Sequence, residues 1–212
     1  MLALNDRIDR VHLISHSRGT DVASTAVREI ESEIAAAMGN TAFAQVAGWA
    51  DDGMLEARAF IKEPADITKI ETFTLVAADL DMDVFMQRFV ARGSGRAARR
   101  TSIYSSAQDK AILISDIFFG SDLRLGRATY DDFTPRAKEL IAALDHIELI
   151  ECRVKSNDSH AYLFEHPAAL SDMVLSIRDD RRAGAEHGRP LTPIAPNFWA
   201  LDESYLKPEP SD

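Results

Sequence analysis

The chain has 212 residues, enough for one well-filled core and too few for two large domains. Its 46% hydrophobic and 27% charged content is that of an ordinary soluble globular protein, and a net charge of -10 argues against nucleic acid or an anionic membrane as its main partner. No run reaches the roughly 18 apolar residues of a membrane span, no signal-peptide pattern opens the chain, and one cysteine, Cys152, excludes an intrachain disulfide, which fits a cytoplasmic location.

After a short lead-in over residues 1–9, a strand is predicted at 10–14, running into the small-residue turn Ser15-His16-Ser17-Arg18-Gly19 and then an amphipathic stretch. Strand, sharp turn and helix with a serine at the apex is the arrangement of a nucleophile elbow. Its usual pattern is Gly-x-Ser-x-Gly, met here with Ser15 in the first position. Both flanking positions are expected to need small residues, because strained backbone at the apex brings the helix close to the strand. The helix is predicted over 19–38, with Val22, Ala26, Ile30, Ile34 and Met38 on its apolar face beside Ala23 and Val27, and Gly39-Asn40 as its stop. Residues 41–70 read as loop with one short helix, forming a wall over the site. A continuous apolar run at 72–78 predicts a strand covered on both faces. It ends in Asp79-Leu80-Asp81, and a helix beginning near Asp81 buries Val84, Phe85, Phe89 and the stem of Arg88.

Gly93-Ser94-Gly95-Arg96, with Arg99 and Arg100, has the residue types of a phosphate loop in the wrong order. It precedes the next strand, at 101–105, instead of joining a strand to a helix, and is read as a solvated turn. Asp109 follows that strand and opens a helix running to about 118, with Ile114, Ile117 and Phe118 on its buried side. Residues 119–133 are read as a loop. Thr134 and Pro135 then supply an N-cap and a first-turn proline to a helix presenting Leu140, Ile141 and Leu144. A strand over 146–154 leads into the polar loop 155–160, which ends at His160. Pro167 opens the last predicted helix, with Leu170, Met173, Val174 and Ile177 sharing a face. Residues 179–212, charged and punctuated by prolines, read as a tail without a core of its own, anchored through Phe198, Trp199 and Tyr205.

Strand and helix thus alternate four times, which predicts an α/β fold with a parallel sheet flanked by helices. Chemistry in such sheets collects at the carboxyl ends of the strands. Ser17, Asp79, Asp109 and His160 are each expected there, after four different strands. Asp79, Asp81 and Asp83 recur every second residue, but a calcium loop would need Gly and Glu where Val84 and Val90 stand, and no zinc spacing occurs. Neither a metal nor a cofactor is expected.

The segments VHLISHSRGT, TLVAADLDMDVF, TSIYSSAQDKAI and SHAYLF, spread over residues 10–175, resemble the α/β-hydrolase superfamily. Within it they resemble a bacterial family of alpha/beta hydrolases of unknown function with esterase- or lipase-like members. The resemblance implies Ser17 as nucleophile, Asp109 as acid, His160 as base and the Arg18 backbone N–H as an oxyanion donor at the start of the helix. Asp79 stays open as the alternative acid, and Asp109 has the alternative of merely capping its helix. His16 is expected as a structural or pocket-wall residue, and His12 as a packed or hydrogen-bonded strand histidine. Residues 1–178 are then a partial hydrolase domain, the C-terminal part of the fold, whose expected partner is a small-molecule ester. Self-association or a partner chain at strand 10–14, and weak activity through loss of one oxyanion donor, follow from that expectation. The competing reading is a non-catalytic fragment or protein-interaction module.

Overall fold

The computed structural model describes residues 7–46, 63–90, 96–119 and 123–206. Residues 47–62, the Gly93-Ser94-Gly95 turn and the side chains of Met38, Ile117 and Phe118 lie outside the described residues. One sheet of six strands has the order β1-β2-β3-β4-β6-β5. Its members are β1 (Val11–His16), β2 (Ile70–Val76), β3 (Ala98–Ser105), β4 (Ile147–Cys152), β5 (Thr192–Ala195) and β6 (Phe198–Leu201). All neighbouring pairs are parallel except β5 with β6. The carboxyl ends of β1 to β4 therefore share one edge, and among the described residues β1 is an outer strand.

The helices are α1 (Gly19–Val46), α2 (Pro64–Thr68), α3 (Met82–Phe85, passing into a π-helical turn over Met86–Val90), α4 (Lys110–Phe119), α5 (Pro135–Ala142), α6 (Tyr162–Glu165) and α7 (Pro167–Arg178). No helix among the described residues is long and apolar enough to cross a membrane. Successive strand residues point to opposite faces, and the sheet uses both. Leu75, Ile103 and Leu149 pack with Val27, Phe85, Phe89 and Ile141, whereas Val76, Tyr104 and Ile150 pack with Leu163, Ala169 and Met173. Each buried Val, Leu, Ile, Met or Phe side chain among these contributes about 1.5–3 kcal/mol.

Helix faces depart from the apolar spacing. In α1 the buried positions are Thr20, Ser24, Val27 and Ile34, while Val22 is 72% and Ile30 42% exposed. The elbow sets this rotation: the Thr20 hydroxyl donates to the Ser17 carbonyl, and Arg88 donates to Ser24 Oγ, so hydroxyls are satisfied on the inward face. Gly39-Asn40 does not stop α1, which continues to Val46; a helical glycine costs only about 1 kcal/mol relative to alanine. In α4, Ile112 is buried and Ile114 is 54% exposed. In α7, Leu170 and Val174 turn outward, while Asp172 and Ser176 are buried beside Met173.

Asp172 faces inward because of Arg189, from the stretch read as a tail. Arg189 is fully buried. It donates through Nε and Nη2 to the two Asp172 oxygens (2.9 and 2.8 Å), and through Nη1 to Glu148 Oε2 (2.9 Å). Tyr104 and Tyr205 hydroxyls also donate to Asp172 (2.7 and 2.8 Å). The tail reading is corrected further by β5 and β6, which extend the sheet beyond β4, and by the burial of Phe198, Leu201 and Tyr205. Two of its prolines are accommodated because Pro193 lies in the edge strand β5 and Pro196 in the turn, where Asn197 takes φ 66.

Candidate active site

β1 delivers Ser17 to the sheet edge. The Ser17 N–H continues the ladder by donating to the Val76 carbonyl (3.0 Å), and the Ser17 carbonyl accepts from Thr20 N in the first turn of α1 (3.0 Å). Bonds on both sides hold the residue at φ 53, a left-handed conformation that costs a non-glycine residue about 1–3 kcal/mol. Ser15 is buried and donates from Oγ to the Thr74 carbonyl (3.3 Å). The steric argument fails at the other flank. A Cβ at Gly19 would meet no atom within 4 Å among the described residues.

The expected acid after β3 does two things at once. Asp109 Oδ1 accepts from Ile112 N (3.0 Å) and so caps α4, while Oδ2 lies 2.8 Å from His160 Nδ1. The cap and the partnership were alternatives in the sequence, and each uses a different oxygen. The Asp109 side chain is fully buried and that of His160 is 21% exposed, so the pair is a shielded carboxylate holding a ring that keeps contact with solvent. A carboxylate only accepts, which places the proton on Nδ1 and leaves the Nε2 lone pair to act as a base.

Asp79 is held elsewhere. It is buried at the end of β2, with Oδ1 accepting from Ser115 Oγ (2.7 Å) and 3.5 Å from Arg124 Nη1, and with Oδ2 3.1 Å from Arg18 Nη1. Nor does it start the following helix, which is capped by Asp81 accepting from Asp83 N (2.9 Å). Asp79 thus braces the elbow's arginine against α4.

His160 comes from the loop after β4. Its N–H donates to Asp158 Oδ1 (2.8 Å), and Ser159 Oγ accepts from Lys110 N (3.2 Å). Two residues anchor the loop: Tyr162, missed in the sequence, and His16, expected there as a structural or pocket-wall residue. Tyr162, nearly fully buried, donates its hydroxyl to the Tyr104 carbonyl (2.8 Å) and accepts from Ala77 N (3.3 Å), pinning α6 to the ends of β2 and β3. Burial, then Cys152 and Asp109 nearby, push the Tyr162 phenol well above the ordinary tyrosine range. His16 brings Nε2 within 3.1 Å of the His160 carbonyl, and the two rings lie 4.6 Å apart. An apolar tyrosine inside the SHAYLF segment was the available signal for the first anchor; nothing in the sequence pairs His16 with a loop 144 residues away.

His12 is a hydrogen-bonded strand histidine, its Nδ1 2.8 Å from Thr72 Oγ1. Ser17, Asp109 and His160 therefore gather at one sheet edge, with Asp109 bonded to His160 and His160 in contact with the residue preceding Ser17. No hydrogen bond joins the Ser17 hydroxyl to another of the described residues. An open cleft of about 760 Å³ begins at His160 and is lined by Gln108, Lys110, Ile114, Ser156 and Asn157 among others.

The loop after residue 122 is fastened to the same sheet edge. Gly126 N donates to the Ala78 carbonyl and Ser106 N donates to the Gly126 carbonyl, both at 2.9 Å, so the loop is stitched to the ends of β2 and β3. A serine on strained backbone at a helix start, at the same sheet edge as a histidine oriented by a buried carboxylate, has the residue types that nucleophilic acyl transfer uses. No curated protein and no solved structure matches the chain. The family model described as alpha/beta hydrolase of unknown function (DUF900) matches residues 1–178, and the chain belongs to that family.

Proposed function

We propose that the protein is a serine hydrolase of carboxylic esters working through Ser17, His160 and Asp109. The carrying observation is the 2.8 Å contact between the fully buried Asp109 carboxylate and His160 Nδ1. A module that only binds has no need of an oriented imidazole beside a strained serine. In this reading Ser17 Oγ attacks the ester carbonyl while His160 Nε2 takes its proton, and Asp109 stabilises the imidazolium that forms. The Arg18 backbone N–H and the start of α1 stabilise the oxyanion. His160 then returns the proton to the leaving alcohol, the acyl-serine forms, and water activated by the same histidine releases the acid. The open cleft at His160 supplies space for the leaving alcohol.

The test is labelling with a fluorophosphonate probe, with mapping of the modified peptide, alongside turnover of a short-chain p-nitrophenyl ester. The expected result is modification of Ser17 and loss of both signals in Ser17→Ala. A label on another serine, or full labelling of Ser17→Ala, overturns the assignment.

A further inference from the structure

His16 has no role in the scheme above, yet it is the side chain that links the elbow to the histidine loop. It stands at the end of β1, one residue before Ser17, and reaches across the sheet edge to a loop that follows β4. Its Nε2 is 3.1 Å from the His160 carbonyl oxygen. A carbonyl only accepts, so His16 Nε2 must carry the proton and donate it. The His16 ring also meets the His160 ring at 4.6 Å, and it meets Phe164 edge-on at 5.5 Å. Tyr162 fixes the far side of the same loop to β2 and β3. Among the anchors of the loop, Tyr162 therefore holds it toward the middle of the sheet and His16 toward β1.

We infer that His16 is a positioning residue: its Nε2–H, donated to the His160 carbonyl, fixes the distance and angle of the His160 ring relative to Ser17. The inference rests on the serine-hydrolase reading and adds to it. Asp109 bonds to the His160 side chain and sets its tautomer and its rotation about the Nδ1 end. It does not set where the His160 backbone stands along the sheet edge. That is fixed by backbone bonds, and among the described residues the His16 bond is the hydrogen bond tying the loop to the strand that delivers Ser17. Because His16 ends β1 and Ser17 follows it directly, any shift of the elbow carries His160 with it. The general base and the nucleophile then move as one unit. An error of about 1 Å in such a placement costs about 100-fold in rate.

The experiment compares His16→Phe, His16→Gln and His16→Asn. Phenylalanine keeps a ring against His160 and Phe164 but has no donor. Glutamine places an N–H near the position of Nε2, whereas asparagine is too short to reach it. Three readouts are taken: the rate of fluorophosphonate modification of Ser17, kcat and KM on a p-nitrophenyl ester, and hydrogen exchange of the peptide spanning residues 156–161. The expected result is a fall of about 10- to 100-fold in labelling rate and kcat for the Phe and Asn variants, with KM within about twofold. Exchange of the loop rises in both. The Gln variant stays within about threefold of the parent on every readout.

Equal labelling rates for parent and His16→Phe overturn the inference, as does a His16→Gln variant as impaired as His16→Asn. The comparison of Gln with Asn decides the matter even where the Phe variant fails to fold. A parent protein with no label on Ser17 overturns the serine-hydrolase reading itself; in that event a rise in exchange only in the Phe and Asn variants would identify the bond as a fold contact alone.

Discussion

Replacing Arg189 by methionine should cost about 3–5 kcal/mol, the usual price of stranding a buried charge by removing its partner. Arg189 makes two bonds to Asp172 and one to Glu148, and it donates to the Arg181 carbonyl at 3.0 Å. Both carboxylates are left behind. Asp172 would retain the Tyr104 and Tyr205 hydroxyls, and Glu148 would retain Ala183 N (2.8 Å) and Ser102 Oγ (3.1 Å). These remaining donors keep the loss near that of one broken pair instead of two. Against a total stability of about 5–15 kcal/mol, the change is large enough to leave the variant marginal. With a urea slope of about 2–3 kcal/mol per molar, the unfolding midpoint should fall by about 1–2 M. Asp172→Asn should also destabilise, and the double variant should lose about 0.5–3 kcal/mol less than the sum of the singles, because the two residues share one interaction. A methionine variant within about 1 kcal/mol of the parent, or strict additivity in the double variant, would refute the view that this buried cluster fastens the C-terminal segment to the sheet.

In an active preparation Asp109→Asn should lower turnover by about 10⁴-fold, as loss of an orienting carboxylate does, and Asp79→Asn by far less; the reverse ranking would move the acid role to Asp79. Gly126→Ala would bring a Cβ to 2.5 Å from the backbone of Ala77 and Ala78, where no flexible side chain can yield. Overpacking of this kind costs about 1–3 kcal/mol, so a calorimetric Tm lower by about 5 °C is expected, and an unchanged Tm would contradict the close approach. Burial, then Asp172, raises the Tyr104 and Tyr205 phenols above the ordinary tyrosine range, and burial raises Tyr162. A raised folded pKa gives stability that is whole below the unfolded value and lost as pH climbs past it. Stability should therefore fall above about pH 10, with phenolate absorbance of these three residues rising together with loss of far-UV circular dichroism; titration of all tyrosines near pH 10 in a still-folded protein would count against it.

The parts legible in the sequence are those set by local pattern. Apolar runs marked β1 to β4, and a parallel arrangement alone then sent Ser17, Asp79, Asp109 and His160 to one edge. Thr134 and Pro135 open α5 as their chemistry requires, with Thr134 Oγ1 accepting from Ala137 N (3.2 Å). Local pattern misled where a buried polar group has a partner far away in the chain. Ser24, Asp172 and Ser176 look like surface residues on their helices, yet each faces inward to meet Arg88, Arg189 or Arg100. Counting those positions as polar rotates the inferred apolar face, which is why Val22, Ile30, Leu170 and Val174 were assigned to cores they do not enter. That Asp109 and not Asp79 lies against His160 likewise depends on neighbours outside their own segments, Arg18, Arg124 and Ser115 surrounding Asp79.

The C-terminal segment joins these two lessons. Charge and prolines, read locally, separate it from the fold; its long-range partners bind it to the site. β6 pairs with β4 directly before the histidine loop, and the Leu201 carbonyl accepts from Arg153 N (2.8 Å). Glu203 then accepts from Lys155 N (3.3 Å) and lies 3.5 Å from His166 Nε2. Lys155 and His166 bracket the loop that carries His160, so Glu203 grips it at both ends while Tyr162 and His16 hold it between them. The position of His160 is thus over-determined by residues from β1, β3 and the segment beyond α7. That is what the proposed general base would need to stay in register with a serine three strands away.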